Sequence, residues 1–326
     1  MSDPENLKKQ IRAAIQKQLA RMEDARLLIV VDPAASPLES LDAEPSFRGL
    51  SSSSILVQHD LFPSSDCPYL IELDIEIPEV RTLLERSINT VLSDRTADRM
   101  ARGAGQRIGG WIVTQETPEA LAAYWGNLIL QRDERERATL LRFYDNRALA
   151  LLWPMLTMRQ RQGLLGPVTT WLSLDAVGDL TTYEVSEPSM AGMSIAAAQW
   201  PAIRRHGLVN KALARFAFDG GTVRPVSVDT AIAAAERADV LELEDAADAA
   251  LFVSHALIWH PRFYEHPAVE RALGEVGPET FYAEAISVLS DTEIEDIKGG
   301  RWLEAQRRNT VEERDGQQRV IGSVKT

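Results

Sequence analysis

The chain has 326 residues, 45% of them hydrophobic and 25% charged, so it is long and apolar enough for one large or two moderate globular domains. Its 48 acidic residues outnumber 35 basic ones, for a formal net charge of -13, which argues against a general binder of nucleic acid or of an anionic membrane surface. One cysteine, Cys67, excludes an internal disulfide and suits a reducing compartment.

The N-terminus, MSDPENLKKQ, is polar and lacks the apolar core of a secretion signal. No apolar run approaches the ~20 residues needed to span a bilayer. The expectation is a cytoplasmic protein without membrane insertion. Leu7, Ile11, Ile15, Leu19 and Met22 recur at steps of three or four, which predicts an amphipathic helix over 5–22. LLIVV (27–31) is a short continuous apolar run rich in β-branched residues and predicts a buried strand. Residues 32–53 hold three prolines, a glycine and serines, and predict a loop. ILVQ (55–58) and YLIEL (69–73) are the next strand candidates.

Pro78 opens a helical pattern through Val91. RIGGWIVT (107–114) predicts a strand with a glycine bend, and Thr117-Pro118 predicts an N-cap and first turn. TLLRFY (139–144) predicts a strand, followed by a short helix ending near Pro154. PVTTWLSL (167–174) and LTTYEV (180–185), separated by a turn with Gly178, predict a hairpin. After about residue 187 the chain turns Ala-rich, with helical patterns at 198–218, 227–239, 245–259, 266–275, 278–289 and 291–298. No repeat of fixed period is present. The reading is an α/β class: an N-terminal lobe over 1–186 with a mixed sheet flanked by helices, an all-helical lobe over 187–303, and a polar tail over 304–326 expected to be mobile.

Several stretches carry chemical suggestions. RGAGQRIGG (102–110) is glycine-rich, but a phosphate cradle needs a strand, then the glycines, then a helix, and here a strand follows. Gly192-Met193-Ser194-Ile195-Ala196 resembles a nucleophile elbow, yet Pro188 interrupts the approach where a strand should run into the glycine. His255, His260 and His266 cluster late in the chain. Five residues of helix turn about 500°, so His255 and His260 do not share a face, and capping or packing is the expected role rather than metal binding. The acidic run Glu236, Asp239, Glu242, Glu244, Asp245 and Asp248 reads as a solvated face or as a docking surface for a basic partner.

The most reactive-looking stretch is Arg142-Phe143-Tyr144-Asp145-Asn146-Arg147. Asp145 stands where a strand gives way to a helix and is placed to cap it. Arg142 and Arg147 can pair with Asp145 or nearby carboxylates. No nucleophile, histidine or glycine loop accompanies the cluster, so the expectation is an architectural corner and not an active site.

The run LLRFYDNRALALLWPMLTMRQRQGLLGPVTTW resembles the signature of bacterial type VI secretion effector adaptors, or effector chaperones, a family long catalogued as a domain of unknown function. The matching positions are Leu141 to Arg147, Trp153-Pro154-Met155-Leu156 and Leu165-Gly166-Pro167-Val168, with Asn146 where the family has proline and Leu165 where it has phenylalanine. CPYLIEL (67–73), GGWIVTQETPEALAAYW (109–125) and LLIVVD (27–32) are also similar to the family's pattern. The likeness covers roughly 27–172 and loosens beyond, to PRFYEHPAVERAL (261–273). The resemblance implies a non-enzymatic protein without cofactor or metal. It implies two partners, a secreted toxic effector and the VgrG-type spike onto which that effector is loaded. It makes Arg142, Tyr144, Asp145, Arg147, Gly166 and Pro167 structural. The looser C-terminal half is then the expected effector-binding part, with Trp200, Trp259, Phe263 and Tyr264 as candidate contacts.

Overall fold

A computed structural model describes residues 3–35 and 51–303. The expected tail over 304–326 and most of the expected loop over 32–53 lie outside the described residues. The chain divides into two compact units, Met1–Pro225 and Val226–Thr326.

In the first unit, Asp3 caps α1 (Pro4–Leu19), which buries Leu7, Ile11 and Ile15 at four-residue spacing. Strand β1 (Arg26–Val31) follows, and then β2 (Ser52–Ser54) and β3 (Tyr69–Glu72). Helices α2 (Pro78–Asp94) and α3 (Ala97–Ala101) lead to β4 (Ile108–Thr114). Thr117 caps α4 (Pro118–Gly126), with proline at its first position as the sequence predicts. A two-stranded hairpin, β5 (Leu130–Arg132) with β6 (Ala138–Leu140), runs into α5 (Asn146–Leu152) and α6 (Met158–Leu165). The hairpin β7 (Thr170–Leu174) and β8 (Leu180–Glu184) precedes α7 (Trp200–Phe218).

The main sheet has the order β2-β3-β1-β4-β7-β8. Every pairing in it is antiparallel, a more uniform arrangement than the mixed sheet expected. Side chains alternate across it with the period of two that a strand imposes. Leu28, Val30, Leu70, Ile112 and Trp171 face one layer, with Trp125 of α4, Leu149 of α5 and Leu164 of α6. Leu27, Ile29, Val31, Ile71, Trp111 and Leu172 face the other, with Ile11 of α1 and Ile88 of α2. Helices on both faces explain why β1 reads as an unbroken apolar run rather than an alternating one.

Two strands differ from expectation. The apolar 55–58 segment is not a strand; the ladder lies one turn earlier, over Ser52–Ser54, and closes where the Ile55 amide donates to the Pro68 carbonyl (2.7 Å). Of the 139–144 stretch only the start is paired, and 141–145 bends away.

The second unit is helical. It contains α8 (Pro225–Val240), α9 (Ala246–Ile258), α10 (Pro267–Gly274), α11 (Tyr282–Ile286) and α12 (Asp291–Gly299). Helix α8 buries Ala231, Ala234, Ala235 and Ala238, a small-residue stripe. Phe252, Phe263 and Tyr282 form an aromatic centre with ring centroids 4.8 and 5.5 Å from Phe252. The predicted helix over 278–289 is confined to Tyr282–Ile286.

The Ala-rich composition begins near 187, but the change of contacts comes at 225. Helix α7 lies between those points. It is Ala-rich, yet it packs on α3 and α5 and places Trp200 in the core of the α/β unit.

Candidate functional site

The 142–147 corner is built from the sheet outward. Beyond β6 the Leu141 amide donates to the Ile129 carbonyl (2.8 Å), and the chain then turns sharply. Phe143 drives its ring edge-on against Trp125, with centroids 5.5 Å apart. The Tyr144 carbonyl lies directly on Gly109 of β4, where any Cβ would overlap it. Register between β1 and β4 slips at this point, from Val30 opposite Gly110 to Val31 opposite Ile108, so Gly109 is a bulge residue. Its carbonyl accepts from Ser173 Oγ (2.8 Å) and Trp171 Nε1 (3.3 Å). The glycine bend, the corner and the Trp171 strand are therefore one packed unit.

Asp145 caps α5 as predicted. Its Oδ1 accepts from the Arg147 amide (2.9 Å), and the Arg147 guanidinium closes on both carboxylate oxygens (3.1 and 2.8 Å) and reaches the Ala104 carbonyl (3.3 Å). Burial pushes the Asp145 carboxyl upward, but the hydrogen bonds and charge of Arg147, with Arg142, outweigh it and hold the group below its ordinary range. Arg142 pairs instead with Asp32 at the end of β1 (2.8 Å), whose other oxygen accepts from the Ala34 amide (3.0 Å). Burial dominates at Asp32 and holds its carboxyl above the ordinary range despite Arg142. Burial also pushes the Tyr144 phenol up to about 12. The hydroxyl therefore stays protonated at neutral pH and offers no base.

A cavity of about 570 Å³ opens beside this corner, between it, α3 and α7. Arg102, Arg142, Arg147 and Lys211 outnumber the Asp145 carboxylate in its lining, and Ile203 supplies an apolar wall. His206 also lines it, but burial and the nearby Arg205 charge pull the imidazole down to about 4, so it is neutral there.

The glycine-rich 102–110 loop is structural. It follows α3 and enters β4, the reverse of a phosphate-binding order. The Arg107 amide donates to the fully buried Asp94 carboxylate (2.9 Å), and the Arg107 side chain pairs with it (2.8 Å). Ser194 is exposed in the segment between β8 and α7, and its carbonyl accepts from Gln160 Nε2 (2.9 Å). Among the described residues no base is hydrogen-bonded to its hydroxyl. Gly166, at φ +60°, lets the Tyr124 ring lie against the backbone, and the Pro167 carbonyl accepts from Thr114 Oγ1 (3.1 Å).

The three histidines have separate roles. His255 Nδ1 meets the Tyr282 hydroxyl (2.6 Å), with its ring stacked 3.7 Å from Trp259. His266 caps α10 through Nδ1 and reaches Asp296 through Nε2 (3.2 Å), while His260 Nδ1 accepts from the Arg262 amide. No cluster of metal-ligating side chains occurs among the described residues. In the acidic run, Asp245 caps α9 and the buried Asp248 accepts from the amides of Tyr282 and Ala283 (2.6 and 3.1 Å). Glu236, Asp239, Glu242 and Glu244 remain exposed. Of the four aromatic candidates, Trp200 and Phe263 are buried in their units' cores, whereas Trp259 and Tyr264 are partly exposed.

Sequence reasoning missed Arg95, a buried guanidinium beside the β7–β8 turn, and the Asp94 cluster. Arg95 reaches Asp175 far along the chain, and Asp94 gathers Arg99, Gln106 and Arg107 from a helix and an irregular loop, so no regular spacing reveals either. No helix among the described residues is long and apolar enough to cross a membrane. A family model described as Domain of unknown function (DUF4123) matches residues 60–163, less than half of the chain, and that stretch contains the whole 142–147 corner. No curated protein and no solved structure matches the chain.

Proposed function

We propose that the protein is a non-enzymatic adaptor. It holds a secreted toxic effector in the cytoplasm and helps to load it onto a VgrG-type spike. The observation that carries this reading is the state of the 142–147 corner inside the matched 60–163 region. Its side chains look reactive in sequence, but Asp145 is engaged by Arg147 and Arg142 by Asp32. A catalytic site needs a nucleophile or base left free to meet substrate. The Tyr144 phenol is held protonated, and among the described residues no base is hydrogen-bonded to the Ser194 hydroxyl. A cytoplasmic carrier without affinity for nucleic acid also suits the net charge of -13.

Co-expression tests the reading. The tagged chain should co-purify with a secreted effector and a VgrG-type spike co-expressed from the same genome, as a complex that survives size exclusion. Failure to form either complex, or effector secretion undiminished when this chain is deleted, overturns it.

A further inference from the structure

The first unit holds a second cavity, of about 510 Å³, between the start of α1, the end of α2, the β7–β8 turn and the C-terminal half of α7. Its walls are mainly apolar, with Leu7, Leu92, Leu174, Val177, Leu213 and Ala217 among them, and Lys8, Asn210 and Arg147 are also part of the lining. Arg95 also lines it. This residue is the C-cap of α2 and is only 8% exposed. Its Nη2 donates to the Asp175 carbonyl, and among the described residues that is the guanidinium's one hydrogen-bond acceptor. The Asp175 carboxylate acts on Arg95 through its charge but forms no ion pair with it among the described residues; its Oδ1 accepts from the amides of Val177 and Asp179 (2.9 and 3.0 Å) and so shapes the turn.

The neighbouring Arg147 shows what a satisfied guanidinium looks like in this protein, with two carboxylate oxygens and a carbonyl as acceptors. Arg95 has five N–H donors and one acceptor in a site where a buried cation normally has a paired anion. Burial accordingly pulls it down to about 10. A purely structural arginine holding the hairpin turn would need the Asp175 contact and nothing more. It would not need an apolar cavity of ligand size beside it.

We propose that this cavity binds an apolar chain that ends in a carboxylate, with the carboxylate taken by Arg95 and the chain by the wall of Leu7, Leu92 and Leu213. A fatty acid and a peptide with an apolar C-terminus share that chemistry. The inference does not rest on the adaptor reading, although Met100, Arg147 and Asn210 line both this cavity and the one at the 142–147 corner.

Calorimetric titration of the full chain tests it with two pairs of probes. One pair is octanoate and octanamide. The other is a short valine–leucine peptide with a free C-terminus and the same peptide amidated. At least one acid is expected to bind about tenfold or more tightly than its neutral counterpart, because a charge-assisted fork is lost in the amide. The acid that binds identifies the source. Arg95→Met should erase the preference for the acid, and Ala217→Trp, which adds bulk to the α7 wall of the cavity and leaves Arg95 in place, should weaken binding of the acid itself. Equal affinity of acid and amide in both pairs overturns the proposal, as does failure of both acids to bind. A folded Arg95→Met variant that keeps the preference does the same. The acid-to-amide comparison uses the unaltered chain, so it decides even if Arg95→Met does not fold.

Discussion

Two aspartates of the same corner respond to burial in opposite ways. Asp145 is buried but gains more from Arg147 than it loses, and its carboxyl lies below the ordinary range. A depressed carboxyl stabilises the fold above its ordinary value near 4, and that contribution is lost as pH falls through the folded value. Asp145→Asn keeps a capping oxygen and removes the charge. It should cost about 1.5–3 kcal/mol at pH 7, the range for a hydrogen bond to a charged group. The gap to the native chain should narrow in urea melts at pH 3; an equal gap at both pH values sinks the assignment. Asp32 lies above the ordinary range, so the stability its protonation brings is complete at low pH and lost as pH rises through the folded value. Asp32→Asn should therefore stay within about 1 kcal/mol of the native chain at pH 7. A larger loss means that the Arg142 pair outweighs the burial. Asp145 as a cap was legible because cap and helix adjoin in sequence. The Asp32–Arg142 pair spans 110 positions and leaves no local spacing to read.

At the scale of elements, hydrophobic periodicity identified β1, β4, the β7–β8 hairpin and the face of α1, because burial on a regular element repeats with its geometry. It failed at 55–58 and 139–144, where apolar residues enter the core from irregular backbone. Ile55 and Val57 are buried while Leu56 between them is exposed, an alternation that mimics a strand without its ladder. The corner leaves β6 because the Tyr144 carbonyl must lie on Gly109. That contact makes a prediction with an internal control. Gly109→Ala places a methyl on a backbone carbonyl that cannot swing aside, and should cost about 3 kcal/mol, the upper end for overpacking. Gly103→Ala has open space around it and only its φ of +76° to oppose it, which costs about 1–2 kcal/mol. Thermal melts that rank Gly103→Ala as the more damaging change remove the bulge as the reason for the corner.

Across the whole molecule, composition and contacts divide the chain at different places. The Ala-rich sequence begins near 187 because helices begin there, but α7 lends its buried face, including Trp200, Val209 and Leu213, to the α/β unit. Composition reports the type of element and not its neighbours, so the boundary at 225 was not legible. The same limit applies to the aromatic candidates, whose exposure only the tertiary structure decides. Trp200→Ala and Phe263→Ala remove fully buried rings and should each cost about 3–5 kcal/mol. Trp259 and Tyr264, partly exposed, are the pair whose truncation can weaken a complex while the fold persists. The division at 225 makes the strongest test. A fragment of residues 1–225 retains α7 over the helices it packs on and should unfold in one cooperative transition. A fragment of residues 1–186 strips α7 from α3 and α5 and removes Trp200 from the core, so it should aggregate or melt broadly. If the helical unit supplies the effector contacts, the 1–225 fragment will be folded yet fail to capture effector in a pull-down, and adding the 226–326 unit back in the full chain will restore capture. Full-affinity capture by the folded 1–225 fragment moves the binding surface into the α/β unit, with the cationic cavity beside the 142–147 corner as the first place to mutate.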